Sequence, residues 1–136
     1  MFYLTANAMP AEKFGFKPTP AQQSFGERVL HVADVNVSML QMLGGKTPPP
    51  KIDMKATSKA DALKELQKAT AYGTAVLKEF SLAQMMERIP APEFMGPTAS
   101  RLEIAYFLMT HTQDTYGQLV VYLRLSGITP PLSAQP

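Results

Sequence analysis

Four clusters of proline and glycine divide the sequence and constrain its fold more than any other feature. They lie at residues 16–20, 44–50, 89–97 and 127–131. Proline lacks a backbone N–H donor and disfavours helix at the residue before it, so each cluster marks a connection between elements. The segments between the clusters carry apolar residues at helical spacing, and strand signals are weak. The pattern therefore predicts an all-α fold.

Capping signals place the predicted helices. Thr19 followed by Pro20 resembles a capping box with proline at the first helical position, which predicts a long helix from Pro20. Ser58 and Ser81 are each followed three residues later by Asp or Gln, which indicates two further helix starts. Gly127 suits the left-handed position beyond a helix end. The predicted helices cover residues 20–43, 58–80, 81–86 and 98 or 100 to 127, with one or two turns within residues 1–9.

Length and composition limit the class of protein. A chain of 136 residues fits one domain, residues 1–136, because two cores would each be too small. It has no cysteine, which excludes disulfides and thiolate metal sites and favours a cytoplasmic protein. A net charge of +2 without a basic block argues against nucleic acid as a partner, and the apolar runs are too short to cross a membrane. We expect a soluble protein.

The last predicted helix carries a stripe that is apolar at both ends and polar in the middle. Its alternating four- and three-residue spacing is typical of a helix face turned to the interior of a bundle, where unpaired polar groups are costly. A polar belt inside a bundle is a common way to build a metal or ligand site. The members of the stripe are Ile104, Leu108, His111, Thr115, Gln118, Tyr122 and Leu125.

The first long helix carries the other histidine, His31, on a face shared with Glu27, Asp34 and Ser38. This face is either the solvent side of the helix or a second polar lining. Taken without context, two histidines 80 positions apart are more often separate surface or hydrogen-bonded core residues than one site. The two carboxylates are likewise more typical of a solvated face than of metal ligands.

Three stretches of the chain together resemble the DinB-like (damage-inducible) superfamily of four-helix bundles. They are residues 17–34, residues 111–118 and residues 121–131, of which the closing run from Gly117 through Arg124 to the proline pair is the most specific. The resemblance covers most of residues 9–131. It implies an up-down-down-up bundle with a first helix shortened to residues 1–9 and a tail at residues 132–136.

The resemblance also implies a divalent-metal site, for Zn or Ni, made by three histidines. His31 matches the ligand on the second helix, and His111 matches the first of a His-x-x-x-His pair on the last helix. Thr115 stands at the position of the third histidine, and a hydroxyl is a much poorer ligand than imidazole. Asp114, Glu27 or Asp34 are the candidate substitutes. Metal affinity is therefore expected to be weak or absent.

Two functions follow from this comparison with the family. The first is a metal-dependent enzyme of the thiol transferase or hydrolase type, acting on a small molecule or low-molecular-weight thiol, with no further catalytic residue assigned. The second is a metal-free bundle that binds a small apolar ligand or a protein partner. A shortened first helix would leave an apolar groove on the bundle, and such surfaces usually mark interfaces, so we expect a homodimer.

Overall fold

The computed structural model describes residues 1–134 and is mostly helical over that range. Short 3₁₀ turns at Ala11–Lys13, Glu93–Met95 and Pro131–Ser133 connect or follow the longer elements. The elements are α1 (Phe2–Ala8), α2 (Phe25–Gln41), α3 (Lys59–Leu77), α4 (Leu82–Met86), β1 (Arg88–Pro90), β2 (Thr98–Ser100) and α5 (Arg101–Leu125).

The helices α3, α4 and α5 begin at the serines expected from the sequence. The hydroxyls of Ser58, Ser81 and Ser100 each accept a hydrogen bond from the backbone N–H three residues further on. Each bond satisfies one of the donors that a helix N-terminus leaves without an intrahelical partner. The predicted starts are confirmed for α3 and α4, and Ser100 rather than Thr98 is the start of α5.

The predicted start of α2 at Pro20 is wrong, because the helix begins five residues later. Ser24 Oγ accepts the Glu27 N–H at 3.2 Å, and Glu27 Oε2 accepts the Ser24 N–H at 2.6 Å. This reciprocal pair is a complete capping box. The carbonyl of Thr19 instead accepts the Gln22 N–H at 3.1 Å, which makes a turn before the helix.

The all-α prediction is also wrong between α4 and α5, where β1 and β2 form a two-stranded antiparallel ribbon. Arg88 pairs with Ser100, and Pro90 pairs with Thr98. The prolines of this segment prevent a helix, and Gly96, with φ of 89°, reverses the chain between the strands. Three-residue strands are too short to show the alternation of apolar and polar residues from which strands are predicted.

The core lies where α2 packs against both α3 and α5. The short α1, predicted within residues 1–9, contacts α3 and α5 as well. The largest fully buried side chains come from the helices and from the segments that connect them, among them Met9, Phe25, Leu30, Leu43, Ile104, Leu119 and Leu123. This packing holds the middle of α2 against the middle of α5, which positions the candidate site.

The C-terminus of α5 has the glycine cap that the sequence predicts. Gly127 has φ of 76°, its N–H bonds to the carbonyl of Arg124 at 3.0 Å, and the N–H of Ile128 bonds to the carbonyl of Leu123 at 2.9 Å. This pair of bonds is the Schellman arrangement. Of the expected tail at residues 132–136, the first residues belong to a 3₁₀ turn, and residues 135 and 136 lie outside the described residues. Within residues 1–134, no helix is long and apolar enough to span a membrane.

Candidate functional site

The packing of α2 on α5 brings the two histidines together. His31 lies in the second turn of α2 and His111 near the middle of α5, and their Nε2 atoms are 3.2 Å apart. The two ring planes are inclined by 65° with centroids 5.1 Å apart. Two imidazoles in this arrangement either share a proton in an N–H···N hydrogen bond or act as neighbouring ligands of one ion.

The surroundings of His111 favour its neutral form. Phe107 lies one turn earlier on α5 and stacks on the His111 ring with centroids 6.2 Å apart. Burial lowers the pKa of His111, the neighbouring His31 lowers it further, and Asp114 opposes the change. Its Nδ1 atom is buried without a hydrogen-bond partner. Neutral imidazole is the form that binds metal ions.

Thr115 lies one helical turn beyond His111 and is 2% exposed, so the third position of the implied ligand set is an interior position. Further along the same face, the Tyr122 hydroxyl donates to the carbonyl of Gln23 at 2.8 Å. The predicted interior stripe is therefore correct for these residues. It is wrong for Leu125, which is 60% exposed at the helix end.

None of the three candidate carboxylates belongs to a cluster of metal ligands among the described residues, and two of them accept hydrogen bonds from other groups. Glu27 caps α2 and lies 3.4 Å from Lys17 Nζ, and hydrogen bonds from Ser24 lower its pKa. Asp114 Oδ2 accepts a hydrogen bond from Gln118 Nε2 at 2.8 Å. In the part of the chain that the structure describes, no group of three or more His, Cys, Asp or Glu side chains is arranged to hold a metal ion. Asp34, half-buried on α2, joins no such group.

The structure also contains a cavity that the sequence interpretation missed. It has a volume of about 680 Å³ and lies between the β1–β2 ribbon and the N-terminal half of α5. Phe107, which stacks on His111, is one of its walls. The sequence signal for it is a pair of apolar residues on the outer face of α5, opposite the polar stripe: Leu102 and Tyr106 are both exposed.

The fold and the paired histidines define a class of protein: a mostly helical domain with a half-buried imidazole pair contributed by two helices. The sequence profile of the DinB superfamily matches residues 1–119. The chain belongs to the DinB superfamily.

Solved structures of DinB-like proteins share the fold, among them two from Bacillus species. A DinB-like protein from Bacillus cereus is 19% identical, with a TM-score of 0.80 over 96% of this chain and 86% of that one. A DinB-like protein from Bacillus subtilis is 18% identical, with a TM-score of 0.70 over 99% of this chain and 91% of that one. No functionally curated protein matches the chain.

Proposed function

We propose that this chain is a divalent-metal-dependent enzyme of the thiol transferase or hydrolase type, with the Nε2 atoms of His31 and His111 as two ligands of the metal. The ligands come from α2 and α5 of an up-down-down-up bundle formed by α1, α2, α3 and α5. Membership of the DinB superfamily supports the proposal at the level of the family. The geometry of the histidine pair supports it at the level of the residues.

The observation that carries the proposal is the distance of 3.2 Å between the two Nε2 atoms. Zinc binds imidazole nitrogen at about 2.0–2.1 Å, so two such ligands on one ion lie about 2.9 Å apart at a 90° angle and about 3.3 Å apart at the tetrahedral angle. The observed distance falls between these values. The rings therefore need little movement to bind one ion.

The chain offers a metal ion two imidazole ligands at this site rather than three. Thr115 supplies a hydroxyl where the family pattern has a third imidazole, and water would complete the coordination. A divalent cation bound there would act as a Lewis acid that lowers the pKa of a thiol or water. Around it, His31 and His111 would bind the ion, and stacking on Phe107 would orient the His111 ring. The buried Thr115 would present its hydroxyl beside them.

The alternative function is a metal-free bundle that binds a small apolar ligand or a protein partner. The buried Nδ1 of His111 has no hydrogen-bond partner, whereas metal-bound histidines usually donate this second N–H to an acceptor. In that case the 3.2 Å contact is a hydrogen bond between one protonated and one unprotonated Nε2. Bound metal distinguishes the two functions.

We also propose that two copies of the chain associate. The groove between α3 and α5 is open beside Leu77 and Met109, both exposed, over a cavity of about 240 Å³ with Leu40 and Leu108 in its lining. Exposed apolar surface of this kind commonly marks an interface. Light scattering at micromolar concentration should give the mass of a dimer, and Met109→Glu should give the mass of a monomer. A monomeric parent would contradict this proposal.

The metal proposal is tested on untagged protein that is stripped with a chelator, dialysed against a rising series of Zn²⁺ or Ni²⁺ concentrations and analysed for bound metal by mass spectrometry. Because two imidazoles without a third bind weakly, we expect about one metal ion per chain only at saturation, with loss in both His31→Ala and His111→Ala. Gln113→Ala, an exposed change on α5, is the matched control and should retain the metal. A metal-free parent, or metal retained in both histidine variants, would contradict the proposal.

A further inference from the structure

The open cavity beside the β1–β2 ribbon is separate from the histidine pair, but it shares Phe107 with it. Its volume of about 680 Å³ lies within the range of about 300–1,000 Å³ that is typical of small-molecule sites. Its walls are mainly apolar and come from Met95 and Ala99 in the ribbon segment and from Leu102, Tyr106 and Phe107 on α5. We propose that this cavity binds a small neutral molecule that carries an aromatic ring, packed against Tyr106 and Phe107.

The charged groups of the cavity explain why the ligand should be neutral. Arg88 and Glu103 both line it, and they lie 3.4 Å apart as an ion pair. The Arg88 guanidinium also donates to the hydroxyl and carbonyl of Thr98, while Glu103 accepts the N–H of Ser100. The two charges cancel and both groups already have partners. The cavity therefore offers no free charge to balance a charged ligand that leaves water.

The aromatic lining explains why the ligand should carry a ring. Tyr106 lines the cavity and is 61% exposed, so a bound ring would cover it. Phe107 is already packed between Phe94, with ring centroids 5.0 Å apart, and His111. Offset or edge-to-face packing with a further ring adds to the free energy gained from burying apolar area.

The shared Phe107 links the cavity to the candidate metal site. A ligand packed on Phe107 would contact the same aromatic ring that stacks on His111. In this respect the inference rests on the proposed function, because the ligand would then be the aromatic part of a substrate of that site. Binding itself requires no metal, so the two proposals can fail separately.

The test uses two fluorescent probes that differ by one charged group: N-phenyl-1-naphthylamine, which is neutral, and its sulfonated analogue 8-anilinonaphthalene-1-sulfonate. Binding is measured by fluorescence titration in the presence of EDTA. We expect the neutral probe to bind at least about 10-fold more tightly, because the sulfonate would lose water without gaining a partner. Equal affinities, or tighter binding of the sulfonate, would overturn the proposal.

The location is tested with a matched pair of substitutions on α5. Leu102→Gln changes a cavity wall, and Leu125→Gln makes the same change at an exposed leucine outside the cavity. We expect Leu102→Gln and Tyr106→Ser each to weaken the neutral probe several-fold, and Leu125→Gln to leave it unchanged. The probe should also shift the imidazole NMR signals of His111. Unchanged affinity in both cavity variants, or an unmoved His111 signal at saturation, would overturn the proposal.

Discussion

The backbone at both ends of α5 is capped by hydrogen bonds, whereas the body of the helix buries two side-chain polar atoms without partners. At the N-terminus, Ser100 and Glu103 exchange two hydrogen bonds, and at the C-terminus the N–H groups after Ser126 bond back to the helix. In the middle, His111 Nδ1 and Gln118 Oε1 are buried without partners. Most buried polar atoms in proteins are hydrogen-bonded, and exceptions concentrate at functional sites. Ser126 Oγ, at the C-terminal end, is also buried without a partner, so the contrast concerns the backbone caps at the ends and the side chains of the proposed site in the middle.

The largest expected effect comes from completing the ligand set in the middle of the helix. Thr115→His would restore a third imidazole one turn from His111, and we expect it to raise Zn²⁺ affinity by on the order of 100-fold, comparable to the strongest effects of outer-shell partners. Isothermal titration calorimetry measures the change. Gln113→His adds the same side chain on the exposed side of α5 and should leave the affinity unchanged. Equal gains in both variants would show that the interior position is not special.

A pair of glycine substitutions compares how the end and the body of α5 contribute to the free energy of unfolding. Gly127 has φ of 76°, so Gly127→Ala should lower the free energy of unfolding by about 1–2 kcal/mol. Gly117 lies in the helix interior, and a Cβ added there meets no atom within 4 Å. Gly117→Ala should therefore raise the free energy of unfolding by about 0.5–1 kcal/mol. Urea denaturation of both variants gives the two values, and shifts of the same sign would contradict this interpretation.

The capping box at the start of α5 should contribute a similar or slightly smaller stabilisation. Ser100→Ala removes the oxygen that accepts the Glu103 N–H and should cost about 1 kcal/mol of the free energy of unfolding. Ser38→Ala, at an exposed position within α2, is the matched control and should change the free energy by less than about 0.5 kcal/mol. If the two substitutions cost the same in thermal or urea unfolding, the cap does not stabilise the helix as described.

The smallest effect concerns pH and the middle of the helix. Because burial and His31 lower the pKa of His111 below its ordinary value of 6.5, the unfolded chain takes up a proton there at higher pH than the folded protein does. Metal-free protein should therefore lose stability as pH falls through about 6.5 and below, despite the opposing charge of Asp114. The loss ends once the pH is below the folded pKa. His111→Gln should flatten the dependence of the melting temperature on pH, and an unchanged slope would contradict the stated cause.

The sequence predicts the local features of this fold better than the long-range ones. Ser58, Ser81 and Gly127 mark their helix ends because a cap depends on residues only a few positions away. The early start assigned at Thr19 is wrong because Ser24, five residues later, makes a complete box with Glu27. The ribbon pairs Arg88 with Ser100 across a proline-rich turn. Its strands are too short to leave a periodic pattern.

For the candidate site too, the local features could be predicted from the sequence and the long-range ones could not. Periodicity on the last helix places His111 and Thr115 in the interior, and the structure agrees. The meeting of His31 with His111 came from the family resemblance rather than from spacing, because no local rule joins residues on separate helices. The cavity beside Phe107 was missed since it depends on how the ribbon folds over α5.

The central claim is that His31 and His111 bind one metal ion through their Nε2 atoms. The most direct measurement is a zinc titration of ¹⁵N-histidine-labelled protein followed by NMR of the imidazole nitrogens. We predict that the Nε2 signals of both histidines move together to metal-bound positions and that the change saturates with one zinc ion bound per chain. Both rings keeping their metal-free signals in excess zinc, with a proton still shared between the two nitrogens, would contradict the account.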